Sequence, residues 1–135
     1  MKTLSLLQPW ASLIVLGLKT VETRSWMVAH RGRILIHASL GKGGQAIAAL
    51  PSIQKHLPDF GALPFGAIIG EVTLVDIVQP ALLSEADRRA LRMAAFEEDA
   101  FGRPEDAAYA WLLEDAVAYE EPIPARGWPG LWTWG

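Results

Sequence analysis

The 135-residue sequence predicts a single α+β domain, residues 1–135, built around a curled sheet or small β-barrel and flanked by short helices. Hydrophobic residues make up 51% of the chain, enough for a sizeable core and too many for a disordered protein. The strand-like segments are short and irregularly spaced, and the helical segments do not alternate with them. This order favours an α+β fold over a doubly wound parallel sheet, which requires a regular βαβ succession.

The first forty residues hold three strand-like segments and one short helix. The predicted strands are residues 3–7, 21–26 and 32–39, the last with a clear alternation of apolar and polar side chains. Trp10, Leu13 and Ile14 recur at the spacing of one helical face, so we predict a helix after Pro9. Gly17 is placed to end that helix.

The rest of the chain contains the longest strand and the clearest helix. Residues 67–78 are rich in Val and Ile and end at Pro80, as expected for a buried strand. Ser84 begins a helix that we predict to run to about Phe101, because a serine hydroxyl caps a helix and Asp87 follows three residues later. The remaining predictions are a helix over 43–56 interrupted by Pro51, a loop over 60–65, one or two strands over 109–119 and a tail over 122–135 rich in Pro, Gly and Trp.

The composition excludes several classes of site. There is no cysteine, and therefore no disulfide framework, thiolate metal site or cysteine nucleophile. His30, His37 and His56 lack the spacing of metal ligands, and no serine has a histidine nearby in sequence that would mark a catalytic triad. The apolar runs are far shorter than the roughly 20 residues of a membrane helix, and there is no signal-peptide pattern. We therefore expect a cytoplasmic protein without metal or cofactor, and we favour a monomer.

The net charge of −3 conceals an uneven distribution. Residues 1–66 carry seven basic side chains against two acidic ones, a net charge of +5. Residues 67–135 carry five against thirteen, a net charge of −8. Asymmetry of this kind hints at one face that meets an anionic partner, unless the two halves interleave in space.

The densest polar cluster is residues 17–26, which follow the first helix and enter a strand. With a period of two, Glu22, Arg24 and Trp26 share one face, where a carboxylate, a guanidinium and an indole could bind a ligand and stack on it. The alternative is structural. In that case the positive charge of Lys19 interacts favourably with the dipole at the C-terminal end of the first helix. Glu22 and Arg24 then form a surface ion pair that stabilises the protein by about 0–1 kcal/mol.

A further carboxylate, Glu71, lies inside the apolar strand over 67–78. A lone carboxylate among apolar neighbours is costly unless it is paired or protonated. We therefore predict that Glu71 pairs with a cation in a shared cleft, and Lys19 and Arg24 are the candidates. A solvent-exposed carboxylate on an edge strand is the structural alternative.

Basic and aromatic residues elsewhere could add contacts to nucleic acid. Arg31 and Arg33 flank a flexible glycine, from which guanidinium groups can reach phosphate oxygens; a solvated loop is the alternative. The chain has six tryptophans, most of which we expect in the core or at the closure of a barrel. Trp10 or Trp26 could stack on a base.

Three segments resemble the ASCH domain family of the PUA-like superfamily: residues 4–11, LSLLQPWA; residues 17–26, GLKTVETRSW; and residues 31–38, RGRILIHA. The Gly-x-Lys-x-x-Glu-x-Arg pattern of the second segment is the hallmark of that family, and Gly70-Glu71-Val72 and Gly130-Leu131-Trp132 fit it as well. The resemblance covers nearly the whole chain. It implies a PUA-like β-barrel with a cleft beside the hallmark segment, and binding of RNA, a nucleotide or a modified nucleoside.

The resemblance also implies candidate catalytic residues. One bacterial branch of the family deacetylates 4-acetylcytidine with a lysine, a threonine and a glutamate, and ribonuclease activity is attributed to other members. In this sequence the lysine corresponds to Lys19 and the glutamate to Glu71, whereas the threonine position holds Glu22. The candidate catalytic residues are thus Lys19, Glu22 and Glu71, and the candidate binding residues are Trp10, Lys19, Thr23, Arg24, Trp26, Arg31 and Arg33.

These observations leave three functions open. The first is a module that binds RNA or a nucleotide. The second is a hydrolase acting in the same cleft on a nucleoside amide or an RNA phosphodiester, and the third is a protein-interaction adaptor that uses the acidic segment Glu97-Glu98-Asp99. The acidic net charge argues against strong nonspecific binding to nucleic acid and suits a small ligand or a short single strand. Whether Lys19, Glu22 and Glu71 converge in one water-accessible cleft is the observation that best separates these functions.

Overall fold

The computed structural model describes residues 1–96 and 103–135. In chain order, its elements are β1 (Lys2–Leu6), α1 (Trp10–Val15), β2 (Val21–Arg24), β3 (Gly32–Ala38), α2 (Gln45–Ala48), α3 (Pro51–Gln54), β4 (Ala67–Val78), α4 (Glu85–Ala94), β5 (Tyr109–Pro124) and β6 (Leu131–Thr133). Short 3₁₀ turns cover Phe60–Ala62, Pro80–Leu82 and Pro104–Asp106. The predicted α+β class is confirmed.

The described strands form one six-stranded sheet in the order β2-β5-β4-β3-β1-β6. β1 and β3 run parallel, and each of the other neighbouring pairs is antiparallel. The sheet curls into a half-barrel, the architecture that the ASCH resemblance implies. β6 pairs with β1 through Trp132 and Thr3, so the C-terminal segment extends the sheet beside the N-terminal strand.

Alternating side chains on the central strands build the main core. The inward-facing residues of β1 and β3 include Leu4, Leu6, Ile34 and Ile36, all at most 3% exposed. α1 packs onto the same core through Val15, which lies against Gly70 of β4. A Cβ atom at Gly70 would lie 2.7 Å from Cγ1 of Val15, so this glycine allows the helix to approach the strand closely.

The predicted start of α4 is confirmed by its cap. Oγ of Ser84 accepts a hydrogen bond from the backbone N–H of Asp87 at 3.1 Å. α4 ends at Ala94, and the predicted continuation beyond Phe96 lies outside the described residues, together with the acidic segment Glu97-Glu98-Asp99. In the two described ranges, the helices are all too short or too polar to cross a bilayer.

The largest departure from the predicted elements is β5, whose 16 residues continue past residue 119 to Pro124. The added part pairs with the start of β4, where Ile68 faces Ile123 and Ala67 faces Pro124. Register shifts allow this long pairing to bend, and Asp115 adopts a positive φ of 53° within it. β2 ends two residues earlier than predicted, and the expected break at Pro51 separates α2 from α3.

Candidate functional site

A groove of about 660 Å³ opens beside β2, where β1 ends and α1 begins. We term it the β2 groove. Its described lining includes four of the predicted site residues, Trp10, Glu22, Thr23 and Arg24, together with Arg103 and Asp106. The volume lies within the roughly 300–1,000 Å³ typical of sites for small ligands.

Glu22 is the buried carboxylate of this groove, with a side chain only 10% exposed. Its Oε1 accepts a hydrogen bond from the backbone N–H of Thr23 at 3.0 Å, and its Oε2 lies 3.7 Å from Nη2 of Arg24. The predicted shared face of Glu22 and Arg24 is confirmed. Because Glu22 is buried, the pair is not the solvated surface pair of the structural alternative.

Arg24 has hydrogen-bonding capacity that the other described residues leave unused. Its Nη2 donates to the backbone carbonyl of Ser5 at 3.2 Å, and its guanidinium carbon lies 5.9 Å from the ring centroid of Trp26. Its Nε is buried and has no hydrogen-bond partner among the described residues. A buried donor without a partner carries a desolvation cost of about 1–3 kcal/mol. The Arg24 side chain as a whole is 27% exposed.

Lys19 lies elsewhere, although it belongs to the same sequence cluster. It is only 1% exposed, and its Nζ donates to the backbone carbonyl of Ala95 at the C-terminal end of α4 at 3.0 Å. An ammonium group at that end interacts favourably with the helix dipole. Lys19 therefore has the structural role that the sequence analysis gave as the alternative, at the end of α4 and not at the end of α1. Lys19 borders a separate cavity of about 130 Å³, together with Ile14 and Val72.

Glu71 is paired with Arg33 and Tyr119, which corrects the predicted pairing with Lys19 or Arg24. Arg33 donates to Oε1 of Glu71 from Nε at 3.1 Å and from Nη2 at 2.7 Å, and the Tyr119 hydroxyl donates to Oε2 at 2.5 Å. The Tyr119 hydrogen bond and the Arg33 guanidinium lower the pKa of Glu71. Burial and the adjacent carboxylate raise the pKa of Tyr119 to about 12.

The remaining candidates divide between the groove and the rest of the sheet. Trp26 is not among the described residues that line the β2 groove, and it packs edge-on against Trp111, with ring centroids 5.0 Å apart. Arg33 also donates to Thr73 and to a backbone carbonyl, and Arg31 donates to two backbone carbonyls and to Asp76. Of the predicted catalytic residues, Glu22 is among the described residues that line the groove, and Lys19 and Glu71 are not. In the described part of the chain these three residues therefore do not converge in one cleft, and the predicted shared cleft of Lys19 and Glu71 is not found.

The sequence analysis misses a polar cluster on β1, β3 and β6, formed by Ser5, His37 and Trp132. Ser5 and His37 are direct partners in the parallel pairing, and Oγ of Ser5 lies 3.0 Å from Nδ1 of His37. Nε1 of Trp132 donates to the same Oγ at 3.0 Å. Proximity in sequence cannot reveal this pair, because its residues are 32 positions apart. The sequence does carry one signal: Ser5 lies between two core leucines on a strand, so its side chain points to the opposite face of the sheet from theirs.

The comparisons with known proteins agree with this fold. The human protein activating signal cointegrator 1 is 29% identical over 96% of this chain, and the mouse protein of the same name is 30% identical over 96%. The chain spans 21% of the length of each of these curated relatives. The crystal structure of ASCH from Zymomonas mobilis aligns with a TM-score of 0.50 and 25% identity, covering 91% of this chain and 72% of that one. Residues 4–123 match the ASCH domain, and since this match spans most of the sequence, the chain belongs to the ASCH domain family.

Proposed function

We propose that the chain binds single-stranded RNA, a nucleotide or a modified nucleoside in the β2 groove. The observation that carries this proposal is the guanidinium side chain of Arg24, which is 27% exposed at the wall of a groove of suitable volume. A phosphate oxygen is an acceptor that suits a guanidinium well. Membership in the ASCH domain family supports a nucleic-acid ligand.

The other side chains of the groove suit the base rather than the phosphate. The indole of Trp10 offers a surface on which a base can stack. The carboxylate of Asp106 would repel a phosphate but accept hydrogen bonds from an exocyclic amino group, as acidic side chains do from cytosine. The proposed orientation therefore places the phosphate at Arg24 and the amino edge of the base towards Asp106.

The experiment is a titration of the protein with a short cytidine-rich single-stranded RNA at about 50 mM and about 200 mM salt. We expect binding that weakens at higher salt, with a logarithmic slope of roughly 0.7 for each phosphate contact. Arg24→Ala should weaken binding at both salt concentrations. Arg89→Ala, which removes an exposed arginine of α4 that is not among the described residues lining the groove, is the matched control. Equal binding by wild type and Arg24→Ala, or no binding at low salt, would refute the proposal.

A hydrolase acting in the same groove is the second candidate, and Glu22 is the observation that favours it. A buried carboxylate beside a ligand groove could act as a general base, a role worth about 10²–10⁴ in rate. Incubation with 4-acetylcytidine and, separately, with single-stranded RNA tests this candidate. Turnover should be lost in Glu22→Gln; equal turnover by that variant would exclude Glu22 as the base.

A further inference from the structure

A second groove, of about 810 Å³, lies beside the first, and the segment between β5 and β6 forms one of its walls. We term it the tail groove. Its described lining includes Trp26, Phe65, Arg126 and Trp128. None of the described residues that line it is acidic, whereas the β2 groove contains two carboxylates. The tail groove is therefore the more favourable of the two for an anion.

Aromatic rings and cations are combined twice around the tail groove. Trp128 is 51% exposed, and the guanidinium carbon of Arg126 lies 4.5 Å from its ring centroid. Nζ of Lys42 lies 3.1 Å from the ring centroid of Phe65. Proteins that bind single strands combine stacking rings for the bases with cations for the phosphates. This chemistry fits a nucleotide better than an apolar ligand.

His37 of the polar cluster holds in place the segment between β5 and β6, which forms one wall of the tail groove. Nε2 of His37 lies 2.7 Å from the backbone carbonyl oxygen of Ala125, and Nδ1 of His37 faces Ser5. Gly127 passes so close that a Cβ atom there would lie 2.6 Å from Cε1 of His37. The chain that carries Trp128 is thus held against the sheet, and the groove is formed before a ligand arrives.

The two grooves meet at Arg24. Ser5, Arg24 and Ser39 line both of them. The side chain of Arg24, which is 27% exposed, therefore lies at the junction of the two grooves. An anionic group that links two bases would find a guanidinium donor at this junction and the partly exposed Ser39 beside it.

We infer that the two grooves form one site for two successive nucleotides of a single strand. This inference rests on the proposed function, which places the first nucleotide in the β2 groove. The phosphodiester between the nucleotides lies at Arg24 and Ser39, and the second base stacks on Trp128 in the tail groove. Arg126 then lies beside the backbone of the second nucleotide.

The test compares cytidine monophosphate with the dinucleotide CpC in calorimetric titrations of three proteins: wild type, Trp128→Ala and Trp134→Ala. Trp134 is an exposed tryptophan that follows β6 and does not contribute to the described lining of either groove, so its substitution is the matched control. We expect wild type to bind CpC at least about tenfold more tightly than the mononucleotide. Trp128→Ala should lose about fivefold or more of the affinity for CpC and keep its affinity for the mononucleotide, as expected for one lost stacking contact.

The outcomes separate this inference from the proposed function. Binding of the mononucleotide without any gain for CpC, or a gain that Trp128→Ala retains, overturns the two-nucleotide site and leaves the β2 groove intact. Loss of mononucleotide binding in Trp128→Ala also overturns it, because the first nucleotide would then occupy the tail groove. Absence of binding by either ligand overturns both proposals. Arg126→Gln removes the cation that lies 4.5 Å from the Trp128 ring centroid and supports the stacking face, so it is an independent variant for which a selective loss of CpC affinity is expected.

Discussion

Two arginine–carboxylate pairs on the sheet differ in how completely their hydrogen-bonding groups are satisfied. All three guanidinium nitrogens of Arg33 donate hydrogen bonds, to Glu71, Thr73 and a backbone carbonyl. Among the described residues, Arg24 donates one hydrogen bond, of 3.2 Å, lies 3.7 Å from Glu22 and leaves its Nε without a partner. The saturated pair fastens two strands together, and the unsaturated pair lies beside the groove in which we propose that a ligand binds.

The largest expected effect comes from replacing each arginine by lysine, which keeps the charge and removes the planar fork. Arg24→Lys should weaken RNA binding by about 10- to 100-fold, because a hydrogen bond to a charged group is worth about 1.5–3 kcal/mol. Arg33→Lys should leave RNA binding unchanged and lower the free energy of unfolding by about 1–2 kcal/mol. Fluorescence titrations and urea unfolding of both variants measure the two effects. Weaker binding by Arg33→Lys, at full occupancy of the folded state, would contradict the comparison.

The saturated pair should also give the stability of the protein an acid dependence. The folded pKa of Glu71 is lowered, so its stabilisation is complete above the ordinary value of 4.5 and is lost as the pH falls through the folded pKa. Near neutral pH, Glu71→Gln should therefore cost about 1 kcal/mol of the free energy of unfolding. The difference from wild type should shrink below the ordinary pKa of 4.5.

Urea unfolding near neutral pH and in acid measures this difference. Glu85→Gln is the control, because Glu85 is an exposed carboxylate whose partner Arg88 lies on the same helix. A difference between wild type and Glu71→Gln that persists or grows in acid would show that the ionised form of Glu71 is not the source of the stabilisation.

The sequence predicts the unsaturated pair and misses the saturated one for a physical reason. Glu22 and Arg24 are two residues apart on one strand, so the period of two is enough to place them on one face. The contact between Glu71 and Arg33 spans 38 residues and depends on the register of β3 against β4. In that register Arg33 faces Thr73, which brings its guanidinium within reach of the carboxylate two residues away.

The distinction between contacts that are local in sequence and contacts between distant segments also explains which elements of the fold the sequence predicts. Local signals predict β4 to the residue and place the cap of α4 at Ser84, because these depend on composition and on a side chain's own backbone. The extension of β5 to Pro124 and the burial of Lys19 against Ala95 depend on partners distant in the chain. Recognition of the hallmark pattern locates the groove through Glu22 and Arg24, but it cannot tell which residues of that pattern face it.

The smallest effect should come from a third arginine, Arg31, which the sequence analysis placed among the candidate binding residues. Its Nη2 lies 3.4 Å from Asp76, with side chains 33% and 57% exposed, so the ion pair contributes at most about 1 kcal/mol. Arg31 is not among the described residues that line either groove. We therefore expect Arg31→Ala to change the free energy of unfolding by less than about 1 kcal/mol and to leave RNA affinity at low salt unchanged, in the same titrations used for Arg24→Lys. A loss of affinity comparable to that of Arg24→Lys would mean that the bound strand extends along the start of β3. RNA affinity would then depend on the number of positive charges, and not on whether an arginine belongs to a saturated or an unsaturated pair.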